Sequence, residues 1–277
     1  MSSQTWFITG ASSGLGAAIA AAALRAGHRV AATARDAARL ASLAEAYPGA
    51  VLALSMDLTR PETIRAAIAA AEAWHGGIDV LVNNAAIGYL AAVEEGEDAH
   101  VRTVFETNLF GPAAAIRAAI GGMRARGTGA IINISSLNGV VAMPALGYYS
   151  ASKFALEGLT EALAQELAPL GIKVTSVEPG GFRTGIVERN LRSPKIEGYG
   201  ATAHAIMDLL ENDREGKFAP GDPQRMAEIL VALAQSGELP PRLIMGPDSG
   251  AAIMAKLDAQ REAYAPWKEL AHSTIFQ

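Results

Sequence analysis

Short, continuously apolar runs alternate with long alanine-rich stretches along almost the whole chain, and this alternation limits the fold more than any other feature. Strands are expected at Trp6–Thr9, Arg29–Thr33, Val51–Met56, Val80–Val82, Ala130–Ile134, Lys173–Val177 and Leu243–Met245. Most are apolar at consecutive positions rather than at every second one, as in strands covered on both faces of a parallel sheet. Helical segments are expected between them, near 14–26, 36–47, 61–75, 98–126, 149–168 and 222–236. The third opens with a capping Asp57, a helix-starting Pro61 and an early acid, Glu62. Alternation repeated this often predicts a doubly wound α/β fold, a mostly parallel seven-stranded sheet flanked by helices.

Length alone would allow two domains, but α/β folds of 277 residues also form one, and a single domain over 1–277 is expected. Two stretches break the rhythm. Residues 181–221 contain no clear strand and one helix-like run, Ala203–Leu210, and read as an inserted substrate loop or lid. Residues 247–277 read as one amphipathic helix, with Ile253, Leu257 and Tyr264 on its apolar face, followed by an aromatic end. The chain is 50% hydrophobic and 18% charged, opposite in both respects to a disordered one. Its net charge, 23 − 28 = −5, gives no reason to expect nucleic acid or an acidic membrane surface as partner. With no Cys, the chain has no disulfides, thiolate metal sites or cysteine nucleophile. The five His (28, 75, 100, 204 and 272) lack ligand spacing, so no metal is expected. No basic residue precedes Arg25, and the early apolar run Ala17–Leu24 is far too short to span a bilayer. A cytoplasmic protein without membrane association is the expectation.

Glycine, at 28 residues, exceeds its usual share. The first strand runs directly into Thr9-Gly10-Ala11-Ser12-Ser13-Gly14-Leu15-Gly16-Ala17, which opens the first helix. In a dinucleotide site the first glycine permits the sharp turn and the next lets backbone approach a pyrophosphate. The last allows close helix–strand packing, with the phosphates at the helix N-terminus. A glycine-rich turn is a weak signal by itself, and a plain tight turn is the alternative; its place between first strand and first helix gives it weight. The second strand ends Thr33-Ala34-Arg35-Asp36. Ala34 stands where an acid would hold the ribose 2′-hydroxyl of NAD, and Arg35 follows it. A guanidinium suits a 2′-phosphate, so NADP(H) is favoured over NAD(H). Asp36 reads as the cap of the second helix.

Tyr149 and Lys153 are four apart at the start of a helix, hence on one side of it. Two strands end nearby in polar residues, Asn133-Ile134-Ser135-Ser136 and Asn83-Asn84-Ala85-Ala86, on the carboxyl edge where such sheets bind ligands. Taken in order, Thr9-Gly10 to Gly16, Asp57, Asn83-Asn84-Ala85, Asn108, Ser136, Tyr149 with Lys153, and Pro179-Gly180 to Thr184 resemble the short-chain dehydrogenase/reductase family. The stretch Glu178–Thr184 and the long tail are similar to a hydroxysteroid-dehydrogenase-like subgroup. One departure is Ala86, where the family usually has Gly.

The resemblance implies a Rossmann sheet and an oxidoreductase working on a carbonyl or alcohol. Tyr149 would be the general acid/base. A free phenol titrates near 10, and the Lys153 ammonium, with the positive ring of the cofactor in the oxidised complex, should lower that value. Lys153 would also hold the nicotinamide ribose, and Ser136 would hydrogen-bond the reacting oxygen. Asn108 would hold a relay water. Around the cofactor, Gly10, Ser12, Ser13, Gly14, Leu15 and Gly16 would surround the phosphates, while Asp57 and Leu58 would border the adenine. Asn83 and Ala85 would pass under the adenine ribose, and Pro179, Gly180 and Thr184 would clamp the carboxamide side of the nicotinamide. Ile87, Tyr89, Leu137, Met143, Leu146, Phe182 and Tyr199 are candidates for the substrate pocket, with core packing the alternative for each. Their apolar character suggests a hydrophobic ketone or secondary alcohol. The helices near 98–126 and 149–168 would pair in a homodimer or homotetramer. Competing readings are an epimerase or dehydratase, a non-catalytic NADP-binding regulator, and an NAD-preferring alcohol dehydrogenase. The glycine spacing and the short remainder after Thr184 oppose the first; intact Ser136, Tyr149 and Lys153 oppose the second.

Overall fold

The computed structural model describes residues 3–185, 187–213 and 216–276. From β1 (Thr5–Ile8) the glycine loop leads into α1 (Gly14–Arg25), followed by β2 (Arg29–Ala34), α2 (Ala41–Ala46), β3 (Val51–Ser55), α3 (Pro61–Glu72) and β4 (Val80–Asn83). A two-residue strand, β5 (Tyr89–Leu90), precedes α4 (Asp98–Phe105) and α5 (Gly111–Arg126). Then come β6 (Gly129–Ile134), α6 (Gly147–Leu167) and β7 (Ile172–Pro179). The remainder holds β8 (Leu191–Arg192), α7 (Ala203–Glu211), α8 (Pro223–Ser236), β9 (Arg242–Met245), α9 (Pro247–Tyr264) and α10 (Lys268–His272).

Seven strands form one wholly parallel sheet in the order β3-β2-β1-β4-β6-β7-β9. The apolar runs are continuous because both sheet faces are covered. Trp6, Ile8, Val30, Ala32, Val80 and Val82 turn to a core shared with α1 and α8. Phe7, Ala31, Leu81 and Ile131 turn to a second core, shared with α3, α5 and α6. The connections reverse direction beside β1, which lies between β2 and β4. Ligands of such sheets bind in the crevice that opens at that reversal, beyond the carboxyl ends of the strands.

Four expectations change. The helix near 98–126 is broken: a π-turn, Glu106–Phe110, separates α4 from α5. Pro112 explains it, because proline has no N–H for the carbonyl of Asn108 and its ring crowds that turn. The segment near 36–47 starts as a 3₁₀ turn, Ala37–Leu40, and only Ala41–Ala46 is α-helical; Asp36 caps the turn, accepting the N–H of Ala38 at 3.0 Å. Residues 181–221 do contain a strand. β8 pairs with β5, and two residues are too few for any periodicity to show. The tail is not one helix with a buried stripe. It breaks at the 3₁₀ turn Ala265–Trp267, and of its expected apolar face Ile253 is buried, while Leu257 and Tyr264 are 47% and 68% exposed.

Candidate active site

Lys153 lies on the inner side of α6, 2% exposed. Its ammonium donates to the carbonyl of Ile134 at 2.8 Å, so the last residue of β6 fixes its position. One turn earlier on the helix stands Tyr149, its ring centroid 5.9 Å from the Lys153 nitrogen. Ser136, just beyond β6, is buried, and its hydroxyl accepts the N–H of Asn138 at 3.0 Å. That bond caps the 3₁₀ turn Leu137–Gly139. The backbone entering α6 is strained: Ala145 adopts φ +67°, a region disfavoured for residues with a Cβ. Its carbonyl accepts the N–H of Ala91 at 2.9 Å, which ties the turn to the opposite wall.

In the protein by itself, burial governs the Tyr149 phenol. Burial pushes Tyr149 up, and the neighbouring Ser136 hydroxyl pulls only partly the other way. Burial also pushes the Lys153 ammonium down to about 8, against the pull of Glu157 one turn further on. Charging either group here is costly, and desolvation is the largest cause of both shifts. Glu157 itself is held by the hydroxyl of Ser176 at 2.5 Å and by Arg242, which also binds Glu178 and Glu161.

Asn108 lies within the π-turn and is 1% exposed. Its amide oxygen accepts the N–H of Ile87 at 2.9 Å. Its nitrogen donates to the Ile87 carbonyl at 2.9 Å and to Ser152 at 3.1 Å. Both donor hydrogens of its side chain are therefore spent on protein. Local helix breaks of this type recur at functional sites.

The glycine loop sits at the sheet's reversal point. Gly10 and Gly14 adopt φ +69° and +56°, readily accessible only without a side chain. A Cβ on Gly16 would lie 2.4 Å from the Gly10 carbonyl oxygen and 2.4 Å from the Asn84 amide. Among the described residues nothing accepts from the backbone N–H groups of Gly14, Leu15 and Gly16, the open start of α1. Thr9, Asn84 and Asp248 had no expected role. The Asn84 side chain donates to the Thr9 carbonyl at 2.8 Å, and the Thr9 hydroxyl accepts from the backbone of Asn84 and Ala85 at 2.9 Å each. Asp248, the second residue of α9, accepts the N–H of Gly181 at 2.8 Å and so holds the Pro179–Gly181 turn. Its distance in sequence hid it.

A model of the short chain dehydrogenases matches residues 4–195. The chain belongs to the short-chain dehydrogenase/reductase family. It is 38% identical to a short-chain dehydrogenase from Streptomyces avermitilis, with a TM-score of 0.91 and full coverage of both chains. It is 34% identical over 269 residues to oxidoreductase BOA17 of Botryotinia fuckeliana, covering 96% of this chain and 97% of the relative. A metagenomic short-chain oxidoreductase solved in complex with NADP is 30% identical, with a TM-score of 0.70, over 88% of this chain and 97% of the other. As a member of this family the protein is an oxidoreductase acting on CH–OH or carbonyl groups.

The short-chain dehydrogenase cradle fits a nicotinamide dinucleotide on its own geometry: open N–H donors, glycines where a Cβ would meet backbone, and a neutral loop. Arg35 is exposed at the end of β2, and its side chain has no partner among the described residues. Asp57 is spent locally, accepting the N–H and hydroxyl of Thr59 at 2.9 and 2.8 Å, and Leu58 is buried against Gly111. Asn83 donates to Asn133 at 2.8 Å inside the sheet, while its own oxygen is buried without a partner. Ala85 lies against Gly10, and Thr184 against Gly14. Gly180 donates to the carbonyl of Met245 at 2.9 Å.

On the substrate side, Met143, Leu146, Tyr149 and Tyr199 share one apolar cluster with Ala203, Ile206, Met207 and Leu210. Ile87 lies in the adjoining cluster, and Leu137 is partly buried next to Ser136. Tyr89 and Phe182 do not join the Tyr149 cluster. Tyr89 is 1% exposed, its hydroxyl paired with Ser193 at 2.5 Å and with the N–H of Glu97 at 2.8 Å. Phe182 packs against the core of α1 and α8. The inserted segment is anchored by Glu95, another residue without an expected role. Its carboxylate accepts from Ala92 and Ile196, each at 2.7 Å, and pairs with the ring of His204 at 2.5 Å.

Proposed function

We propose that this enzyme is an NADP(H)-dependent carbonyl reductase or alcohol dehydrogenase for hydrophobic ketones and secondary alcohols, with Tyr149 as general acid/base. The observation that carries this reading is the meeting of Ser136, Tyr149 and Lys153 at the end of β6, with Lys153 fixed on the Ile134 carbonyl. When bound, the nicotinamide supplies or accepts the hydride. Tyr149 donates its phenolic proton to the oxygen that gains charge in reduction, or takes it back in oxidation. Its raised pKa keeps it protonated and ready to donate at neutral pH. Ser136 offers its hydroxyl to the same oxygen, a preset donor where charge develops. Lys153 holds positive charge beside the phenol and favours its anion once formed. The Asn108 carbonyl, to which Pro112 four residues on has no N–H to offer, is suited to hold a water on the proton's route.

Arg35 supports NADP(H), since its free guanidinium stands where a 2′-phosphate would be read and Ala34 offers no acid to the 2′-hydroxyl of NAD. The apolar wall of Met143, Leu146, Tyr199 and Met207 supports a hydrophobic substrate. Phe110 and Phe154, 53% and 42% exposed on the α4–α5 and α6 side, support self-association there. The test is a panel of ketones and alcohols followed at the nicotinamide absorbance. Tyr149→Phe should abolish NADPH consumption while leaving NADPH binding nearly intact; unchanged turnover would refute the assignment.

A further inference from the structure

Arg189 ends a 3₁₀ turn, Val187–Arg189, in the inserted segment, yet it reaches back across the glycine loop. One guanidinium nitrogen donates to the Ser13 hydroxyl at 3.0 Å and the other to the Thr184 carbonyl at 3.0 Å. A Cβ built on Gly14 would lie 3.7 Å from the second. The cation therefore sits at the N-terminus of a 12-residue helix, next to backbone N–H groups that nothing among the described residues accepts. Like charge faces like here, because a helix start is positive and repels a guanidinium. No carboxylate among the described residues compensates Arg189, in contrast to Arg126 with Glu72, Arg192 with Glu211 and Arg242 with three glutamates. Its two acceptors are both neutral. Such a concentration of positive ends is relieved when an anion lies among them. The loop itself, Gly10 to Ala17, carries no basic side chain to supply that charge.

We propose that Arg189 is a pyrophosphate-binding residue, lent by the inserted segment to the glycine loop, so that the segment bordering the substrate also holds the cofactor. The proposal rests on the dinucleotide reading above. It predicts that phosphate recognition, and not adenosine recognition, depends on residue 189.

The test is calorimetric titration of the full chain with NADPH, with ADP-ribose (which has the pyrophosphate but neither 2′-phosphate nor nicotinamide), and with adenosine. Arg189→Gln, which keeps a hydrogen-bonding side chain and loses the charge, should weaken NADPH and ADP-ribose about 10- to 100-fold, the usual worth of a charge-assisted hydrogen bond. Adenosine should be unaffected. Arg189→Lys should recover part of the loss, since it restores charge without the fork. Wild-type affinity for ADP-ribose in Arg189→Gln overturns the proposal alone, leaving the dinucleotide site standing. A wild-type chain that binds neither NADPH nor ADP-ribose overturns the dinucleotide reading and the proposal with it. Equal losses for adenosine and ADP-ribose would reduce Arg189 to a structural tie and overturn the proposal as well.

Discussion

Gly16→Ala tests whether the glycine loop is shaped by close packing or merely by sequence habit. Gly16 is helical, the third residue of α1, and has no left-handed backbone angle to protect. On propensity alone, alanine in a helix should therefore stabilise it, by about 1 kcal/mol at most. The surroundings say the reverse. The added Cβ would lie 2.4 Å from the Gly10 carbonyl oxygen and 2.4 Å from the Asn84 amide. The first is backbone in the turn leaving β1 and cannot swing aside. The second is held at 2.8 Å on the Thr9 carbonyl. Overpacking of this kind costs about 1–3 kcal/mol, and displacing the Asn84 amide adds about 1 kcal/mol for its lost hydrogen bond. Against the propensity gain, a net loss of about 1–3 kcal/mol is expected. For a chain of this size that lowers Tm by several degrees, roughly 2–4 °C per kcal/mol. Gly250→Ala in α9 is the control, because its nearest neighbour, Ile244, would be 4.0 Å from the new Cβ; it should gain up to about 1 kcal/mol. Thermal and urea unfolding of both variants decide the matter. A Gly16→Ala variant as stable as wild type, or more so, would show that the helix and strand are not in the close contact described.

Arg35→Ala should raise the apparent KM for NADPH far more than for NADH; equal effects on both would remove the basis for a 2′-phosphate preference. Lys153 gives a pH signature. Its folded value of about 8 lies below the ordinary 10.5, so between those values the unfolded chain binds more protons and stability rises with pH. The gain is at most about 3 kcal/mol, and Lys153→Met should remove it, as urea melts at pH 7.5 and 10 would reveal. Glu95→Ala should loosen the inserted segment. Burial pushes this carboxyl up, but the N–H of Ile196, the His204 ring and the N–H of Ala92 more than offset that and leave it below the usual carboxylate range. Losing those charged bonds should cost about 2–4 kcal/mol, with faster tryptic cleavage after Arg192 and Lys195; unchanged cleavage would mean the anchor lies elsewhere.

Much of this protein is written in local pattern. Continuous apolar runs marked both-face-covered strands, and all seven strands of the parallel sheet coincide with such runs to within a few residues. The turn into α1 was visible because its glycines are adjacent in sequence, and the Tyr149–Lys153 spacing is a property of one helix. Asp36 could be recognised as a cap for the same reason: its partner, Ala38, is two residues away.

What tertiary structure decided are relations between segments far apart in the chain. The interior corner that lifts Tyr149 and depresses Lys153 exists only once α6 packs on β6, because desolvation depends on what surrounds a group and not on its neighbours in sequence. The grip of Asp248 on Gly181 and the reach of Arg189 to Ser13 join residues 67 and 176 positions apart. Neither leaves a periodic trace. Pro112 was legible, but that a π-turn forms just before it, and that Asn108 in that turn spends its side chain on Ile87 and Ser152, followed only from the packed helices. Sequence by itself determined the sheet, the glycine turn and the spacing that sets Tyr149 and Lys153 on one side of a helix, since these are set by backbone periodicity and nearest neighbours. Folding decided the direction in which Tyr149 and Lys153 are shifted and the long-range contacts around them, because burial and contact belong to the whole chain.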